Sequence, residues 1–194
     1  QSLNFDWRIF GGTQVYDQTF SAVSDDPDSE TLVRLQRVPA QNLGFSGQVS
    51  GVLLENQTLV FGVEGKEVRG ASDEIGFFSN RPTSVSGAGG REQTFGVFLQ
   101  DFARINSKLI LSGSLRFDFW RNFRALSSVR ALSTGQIVTI DFPDRSENAV
   151  SPQISALYQI NENFSVFALA SKSFRAPTLN ELYRGFRVGN IVTN

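Results

Sequence analysis

The chain contains no cysteine, no histidine and no methionine. Without cysteine there are no disulfides, zinc ribbons or thiol nucleophiles, a usage that fits an exported protein avoiding accidental oxidation. Without histidine, this segment contains no Ser-His triad, no imidazole metal ligand and no imidazole proton shuttle. Charge of one sign is also missing: 18 Lys and Arg stand against 19 Asp and Glu, a net charge of −1. The basic residues are interspersed with acidic ones, so there is no electrostatic footprint for nucleic acid. No apolar run approaches the roughly 18 residues that a spanning helix needs, so a membrane crossing would have to be made by strands. The chain starts at Gln1 with no charged-then-apolar leader, and Asn194 falls inside a loop. The expectation is a piece of a longer mature protein.

What is present is phenylalanine, 18 of it against 3 Tyr and 2 Trp, in a chain whose mean hydropathy is slightly below zero. That many aromatic rings beside so many small and polar residues suits strands with one face to lipid and the other to a polar lumen. Alternation is cleanest at 108–120, where Leu109, Leu111, Gly113, Leu115, Phe117 and Phe119 share one face and Lys108, Ser112, Ser114, Arg116 and Asp118 the other. Period two over that length predicts a strand. Similar patterns place seven strands at 3–16, 43–54, 58–69, 93–104, 108–120, 149–160 and 164–174. Their lengths fit the roughly 9–11 residues of a tilted spanning strand.

Connections alternate in length. Tight turns are predicted at 55–57, 105–107 and 161–163, and long loops at 17–42, 70–92, 121–148 and 175–194. Short periplasmic turns and long outer loops are the outer-membrane pattern. Thr31 to Val38 has strand character, but a separate spanning strand there would shift the parity of every later turn, so it is read as an extended piece of the first outer loop. Val60, Phe98, Phe102, Phe167 and Leu169 fall on the nominally polar face, which predicts either bulges or aromatic lumen contacts with a plug. The fold class is therefore all-β, an antiparallel transmembrane β-barrel segment. Seven open strands do not close a barrel, and further strands are expected in the parent chain.

The run Phe174-Arg175-Ala176-Pro177-Thr178-Leu179-Asn180-Glu181-Leu182-Tyr183 follows the last of these strands. It resembles the late barrel signature of TonB-dependent outer-membrane receptors. Gly90 to Asp101 and Leu111 to Trp120 are similar to that family's paired strands, and the resemblance covers 90–194 best. It implies that 1–194 is part of one barrel domain, with a plug domain and closing strands lying elsewhere in the parent. It implies import of a scarce solute of the siderophore, cobalamin or glycan class across the outer membrane of a Gram-negative cell. The implied partners are outer-membrane lipid, the plug, a TonB-type inner-membrane energy-coupling complex and a small-molecule cargo. A passive porin-type barrel and a soluble β-sandwich binding or adhesion module are the alternatives. No catalytic residue, metal ligand, cofactor or nucleic-acid partner is expected.

Thr178 to Glu181 has the form of a capping box, with Pro177 ahead of it and Leu182 placed as a staple. This predicts a short helical turn seating the loop on the barrel rim through Leu179, Leu182, Tyr183 and Phe186. The functional alternative has Arg175, Glu181, Tyr183 or Arg184 touching cargo or plug. Arg116 and Asp118 are two apart, share the lumen face, and are read as a solvated or lumen-lining ion pair; the functional alternative is a network that fixes a plug or steers an anion. Asp25 to Glu30 lacks calcium-loop spacing and is read as a solvated loop. Gly87 to Gly90 lacks the lysine and helix of a phosphate loop and is read as a hinge. Trp7, Tyr16, Phe119, Trp120, Tyr158 and Phe174 are read as interfacial girdle aromatics, with ordinary core packing as the alternative.

Overall fold

The computed structural model describes residues 3–23, 29–183, 186–188 and 191–193. Its strands are β1 (Leu3–Val23), β2 (Glu30–Leu54), β3 (Gln57–Phe78), β4 (Arg81–Arg104), β5 (Leu109–Ala131), β6 (Ile137–Phe142), β7 (Arg145–Gln159) and β8 (Ser165–Ser171). A short helix α1 (Leu179–Tyr183) and a small hairpin, β9 (Phe186–Val188) and β10 (Ile191–Thr193), follow. β1 to β5, β7 and β8 form one antiparallel meander in sequence order, with β6 added beside the far half of β5. No described helix is long and apolar enough to cross a membrane.

The register turns the one-dimensional alternation into rows. Phe5, Val49, Phe61, Leu99, Leu115 and Pro152 are successive cross-strand partners, and so are Trp7, Gly47, Val63, Val97, Phe117 and Val150. Those side chains share the outward face, where Phe5 is 74% and Leu115 56% exposed. Among the described residues only Trp120 and Ala125 are buried hydrophobics. A sheet that exposes its apolar face and half-shields its polar one is inverted relative to a soluble core and calls for lipid on the outside. Leu109 to Phe119 is ten residue steps. At about 3.3 Å per step and a tilt of about 40°, that makes an apolar band about 25 Å high.

The turns at the short end use one device twice. Asn106 Oδ1 accepts the N–H of Lys108 and of Leu109 at 2.8 and 2.9 Å, and Asn161 Oδ1 accepts those of Asn163 and Phe164 at 2.9 and 3.0 Å. An asparagine carbonyl standing in for a backbone acceptor closes each turn.

The other end departs from the sequence reading. Strands β1 to β5 run 21 to 25 residues each, more than twice what the membrane requires. Segments 17–42 and 70–92, read as loops, are instead mostly strand. Thr31 to Val38 is neither a separate strand nor a loop; it is the first part of β2, which runs on to Leu54. Ser79 and Asn80, with φ of 50° and 60°, close β3 onto β4 in two residues, and the left-handed pair matches a twisted hairpin. Gly87 to Gly90 lies within β4 and is not a hinge.

β5 changes partner midway. It pairs with β7 as far as Asn122 opposite Arg145, and with β6 from Ala125 opposite Phe142. Between them Arg124 adopts φ 54° at a register shift against β4, an inserted residue that reverses face parity beyond it. Asp144 braces this bulge, accepting from Arg121 at 2.7 Å and from the Arg124 N–H at 3.4 Å.

No register shift occurs at Val60, Phe98, Phe102, Phe167 or Leu169. They line the inner face as apolar contacts, and the bulge explanation falls. Phe98 lies over Gly62, where a Cβ would collide with its ring. The girdle reading also divides. Trp7, Phe119 and Tyr158 point outward, but Tyr16 and Trp120 share parity with the inner residues, and Trp120 is 2% exposed. Neighbours in a strand face opposite ways, so Phe119 and Trp120 cannot both meet lipid.

Candidate lumenal and rim site

On the inner face, Arg116 joins three strands. Its Nε donates to Asp118 Oδ1 at 2.7 Å and its Nη2 to Glu64 Oε1 at 2.5 Å. Glu64 on β3 and Asp118 on β5 are both register partners of Gly96 on β4. A Cβ at Gly96 would collide with the Arg116 guanidinium, so the glycine leaves the gap through which the arginine reaches Glu64. Sequence spacing brings Arg116 to Asp118, but it carries no signal for Glu64, because that contact depends on the register across an intervening strand. Two carboxylates on one guanidinium leave the cluster one negative charge. All three side chains keep solvent access, between 17% and 47% exposed, so the pairs contribute at most about 1 kcal/mol each and act mainly to order the inner wall. Alongside lies a groove of about 410 Å³ lined by Ser114, Arg116, Asp118, Gln153 and Lys172.

The rim segment leaves β8 and folds back over the inner face. Thr178 and Glu181 form the capping box: the Thr178 N–H donates to Glu181 Oε2 at 2.8 Å, and the Glu181 N–H donates to Thr178 Oγ1 at 3.3 Å. The Leu182 N–H donates to the Thr178 carbonyl at 3.1 Å, closing the turn. Arg175 clamps the same carboxylate with two nitrogens at 3.1 and 2.9 Å. Arg175 first, and then the Thr178 N–H and hydroxyl, hold the Glu181 carboxyl down at a pKa of about 2. The Arg175 guanidinium is correspondingly held above its ordinary pKa. Each charge is thus committed to the other, which gives Arg175 and Glu181 a positioning role in the rim.

What they position is Leu179. Its two methyls lie 3.3 Å from where a Cβ would stand on Gly70 and on Gly90, inner-face residues opposite one another on β3 and β4. Those two bare positions form a seat, and beside it Val68, Gly70, Ala88, Glu92, Thr178 and Leu179 line a cavity of about 350 Å³. Gly70, Gly90 and Glu92 escaped sequence reasoning because nothing local ties them to position 179. The backbone of Asn180 and Tyr183 belongs to α1 and that of Phe186 to β9, but their side chains, and Arg184 as a whole, lie outside the described residues. Asp25, Asp26, Pro27 and Asp28 of the acidic stretch also lie outside them. Among the described residues, no group of three or more potential ligands stands close enough to hold a metal ion.

The geometry is that of known barrels. The structure is similar to the ferric yersiniabactin uptake receptor FyuA from Yersinia pestis, with a TM-score of 0.66 at 14% identity over 85% of this chain and 24% of that one. It is similar to the ferric-catecholate import receptor Fiu from E. coli K12 in its open form, with a TM-score of 0.62 at 17% identity over 90% and 33%. The chain thus spans a quarter to a third of these structures, and at such identities the likeness is one of fold. No curated protein matches the sequence significantly. The profile of the family described as "TonB dependent receptor-like, beta-barrel" matches residues 1–194, end to end. The all-β meander, its inverted faces and that match agree, and the chain belongs to the TonB-dependent receptor β-barrel family, whose members are receptors and transporters and not enzymes.

Proposed function

We propose that the chain is part of the barrel domain of an energy-coupled importer in the outer membrane of a Gram-negative cell. A plug domain and further strands complete it in the parent protein. The observation that carries this reading is the inverted sheet: an apolar band about 25 Å high faces outward while a charged and hydroxyl-lined wall faces inward. Strands continuing far past that band on one side supply an outer vestibule for capturing cargo. In this reading the inner wall around Arg116, Asp118 and Glu64 faces plug and solute, and the segment from Arg175 to Leu182 borders the entry. FyuA is named a ferric yersiniabactin uptake receptor and Fiu a ferric-catecholate import receptor, which makes ferric chelates of the siderophore class the first cargo to test; cobalamin and glycans follow. No covalent chemistry is assigned.

The test is uptake by cells expressing the intact parent protein, with and without a functional TonB-type complex. The expected result is accumulation of a labelled ferric siderophore, cobalamin or glycan that disappears when coupling is inactivated. Uptake that persists without coupling would support a passive porin-type barrel instead. Recovery of the protein in the soluble fraction without detergent would support a β-sandwich module and refute the membrane reading altogether.

A further inference from the structure

Immediately above the apolar band, the outward face changes character. Its next rows carry Glu67, Gln93 and Arg121, then Arg69 and Arg91 directly opposite one another on β3 and β4. Like charges in direct cross-strand opposition destabilise a sheet, and a nearby anion offsets their repulsion. Glu67 does so for Arg69, at 2.7 Å. Among the described residues, Arg91 and Arg124 make no ion pair. The bulge brings Arg124 into the same concavity, of about 520 Å³, which has three guanidiniums and a single carboxylate, Asp73, in its lining. Its lining includes Ala71, Gly87 and Gly89, whose small size leaves room beside the arginines.

Beneath this pocket lies an apolar groove of about 470 Å³, walled by Ile9, Leu43, Phe45, Phe95 and Phe119. The Phe45 ring lies over Gly65, where a Cβ would stand 2.6 Å from it, and forms part of the groove's wall. Gly65 and Arg69 share one strand and one face four residues apart, about 13 Å along β3. An apolar slot within the band and a cationic pocket directly above it match the two ends of one molecule. A free phosphate or a lumenal cargo would have no use for the slot.

Resting on the membrane reading above, we propose that this outward face binds a phosphorylated lipid of the outer leaflet. An acyl chain lies in the groove beside Phe45, Phe95 and Phe119, and a phosphate sits between Arg91 and Arg124. Arginine forks suit phosphate oxygens, and the headgroup level is where charge-assisted bonds to them are partly desolvated.

The test uses the full-length protein purified in detergent, with folding confirmed by heat-modifiable gel mobility. Native mass spectrometry then measures binding of lipid A and of its dephosphorylated counterpart. The expected result is one retained lipid A, with binding at least about tenfold weaker for the dephosphorylated lipid, a factor of ten being the worth of one good charge-assisted contact. The folded double variant Arg91→Gln/Arg124→Gln should lose a similar factor, while Arg37→Gln, higher on the same face, should not. Should the double variant fail to fold, the comparison of the two lipids on the wild type decides alone. Phosphate-independent binding, or undiminished binding by the folded double variant, overturns this proposal and leaves the importer reading intact. Failure of the wild type to enter the outer membrane overturns both.

Discussion

Arginine in place of Leu115 tests the inverted sheet at its centre. Leu115 is 56% exposed on the outward face, between Leu99 and Pro152 in the register. It lies six residues above Leu109 and four below Phe119, the limits of the band on β5. A guanidinium there meets hydrocarbon, at a cost of about 2–4 kcal/mol near the midplane. One residue away, Ser114 points into the inner groove beside Asp118, Lys172 and Arg116. Ser114→Arg adds only repulsion between solvated like charges, less than about 1 kcal/mol. The folding equilibria of the two variants should therefore differ by a factor between about five and nearly a thousand. The assay is urea-dependent folding of the full-length protein into lipid vesicles, read by heat-modifiable mobility. Leu99→Arg, on the adjacent strand of the same row, should behave like Leu115→Arg. Equal tolerance at 114 and 115, or greater damage at 114, would refute the face assignment and with it the membrane band.

Two further predictions concern the inner wall and rim. Glu181 has its folded-state pKa depressed from 4.5 to about 2, so its contribution to holding α1 is fully present above the unfolded value and is lost as pH falls toward 2. Hydrogen exchange at 179–183 should stay slow and constant from pH 7 to 5 after correction for intrinsic rates, then accelerate below about 4.5, whereas Glu181→Gln should exchange fast throughout; a pH-independent wild-type profile would exclude the capping carboxylate as the cause. Gly96→Val should drive Arg116 off Glu64 while leaving the strand ladder intact, so that a double-mutant cycle of Glu64→Gln and Arg116→Gln, read by urea-dependent folding, loses its coupling of at most about 1 kcal/mol in the valine background; undiminished coupling would show that the gap is not what admits the arginine.

The spanning portion of β5 was legible because alternation is a property of adjacent residues. From Leu109 to Phe119 the lipid face is apolar at nearly every second position, and the requirement acts on each position separately. Beyond Phe119 that contrast is gone. Above the membrane both faces meet water or protein, so Ser72, Asp73, Gly87 and Ala88 carry no period, and long hairpins there read as loops. The turn at Ser79 and Asn80 was hidden for a related reason: it needs two left-handed residues, and a serine does not advertise that conformation as glycine does.

The capping box was readable because its partners are three residues apart, and the same holds for Arg116 with Asp118. Glu64, Gly70, Gly90 and the pocket between Arg91 and Arg124 were not, since each is joined to its partner through other strands. A single inserted residue at Arg124 reverses which side chains face outward beyond it, and no local pattern reports an insertion. The sequence by itself determined the strand habit, the outward band and the rim turn, because sterics, solvation and capping act between near neighbours. Only the tertiary structure decided which distant residues meet, because register is set collectively by the ladders and turns of the whole sheet.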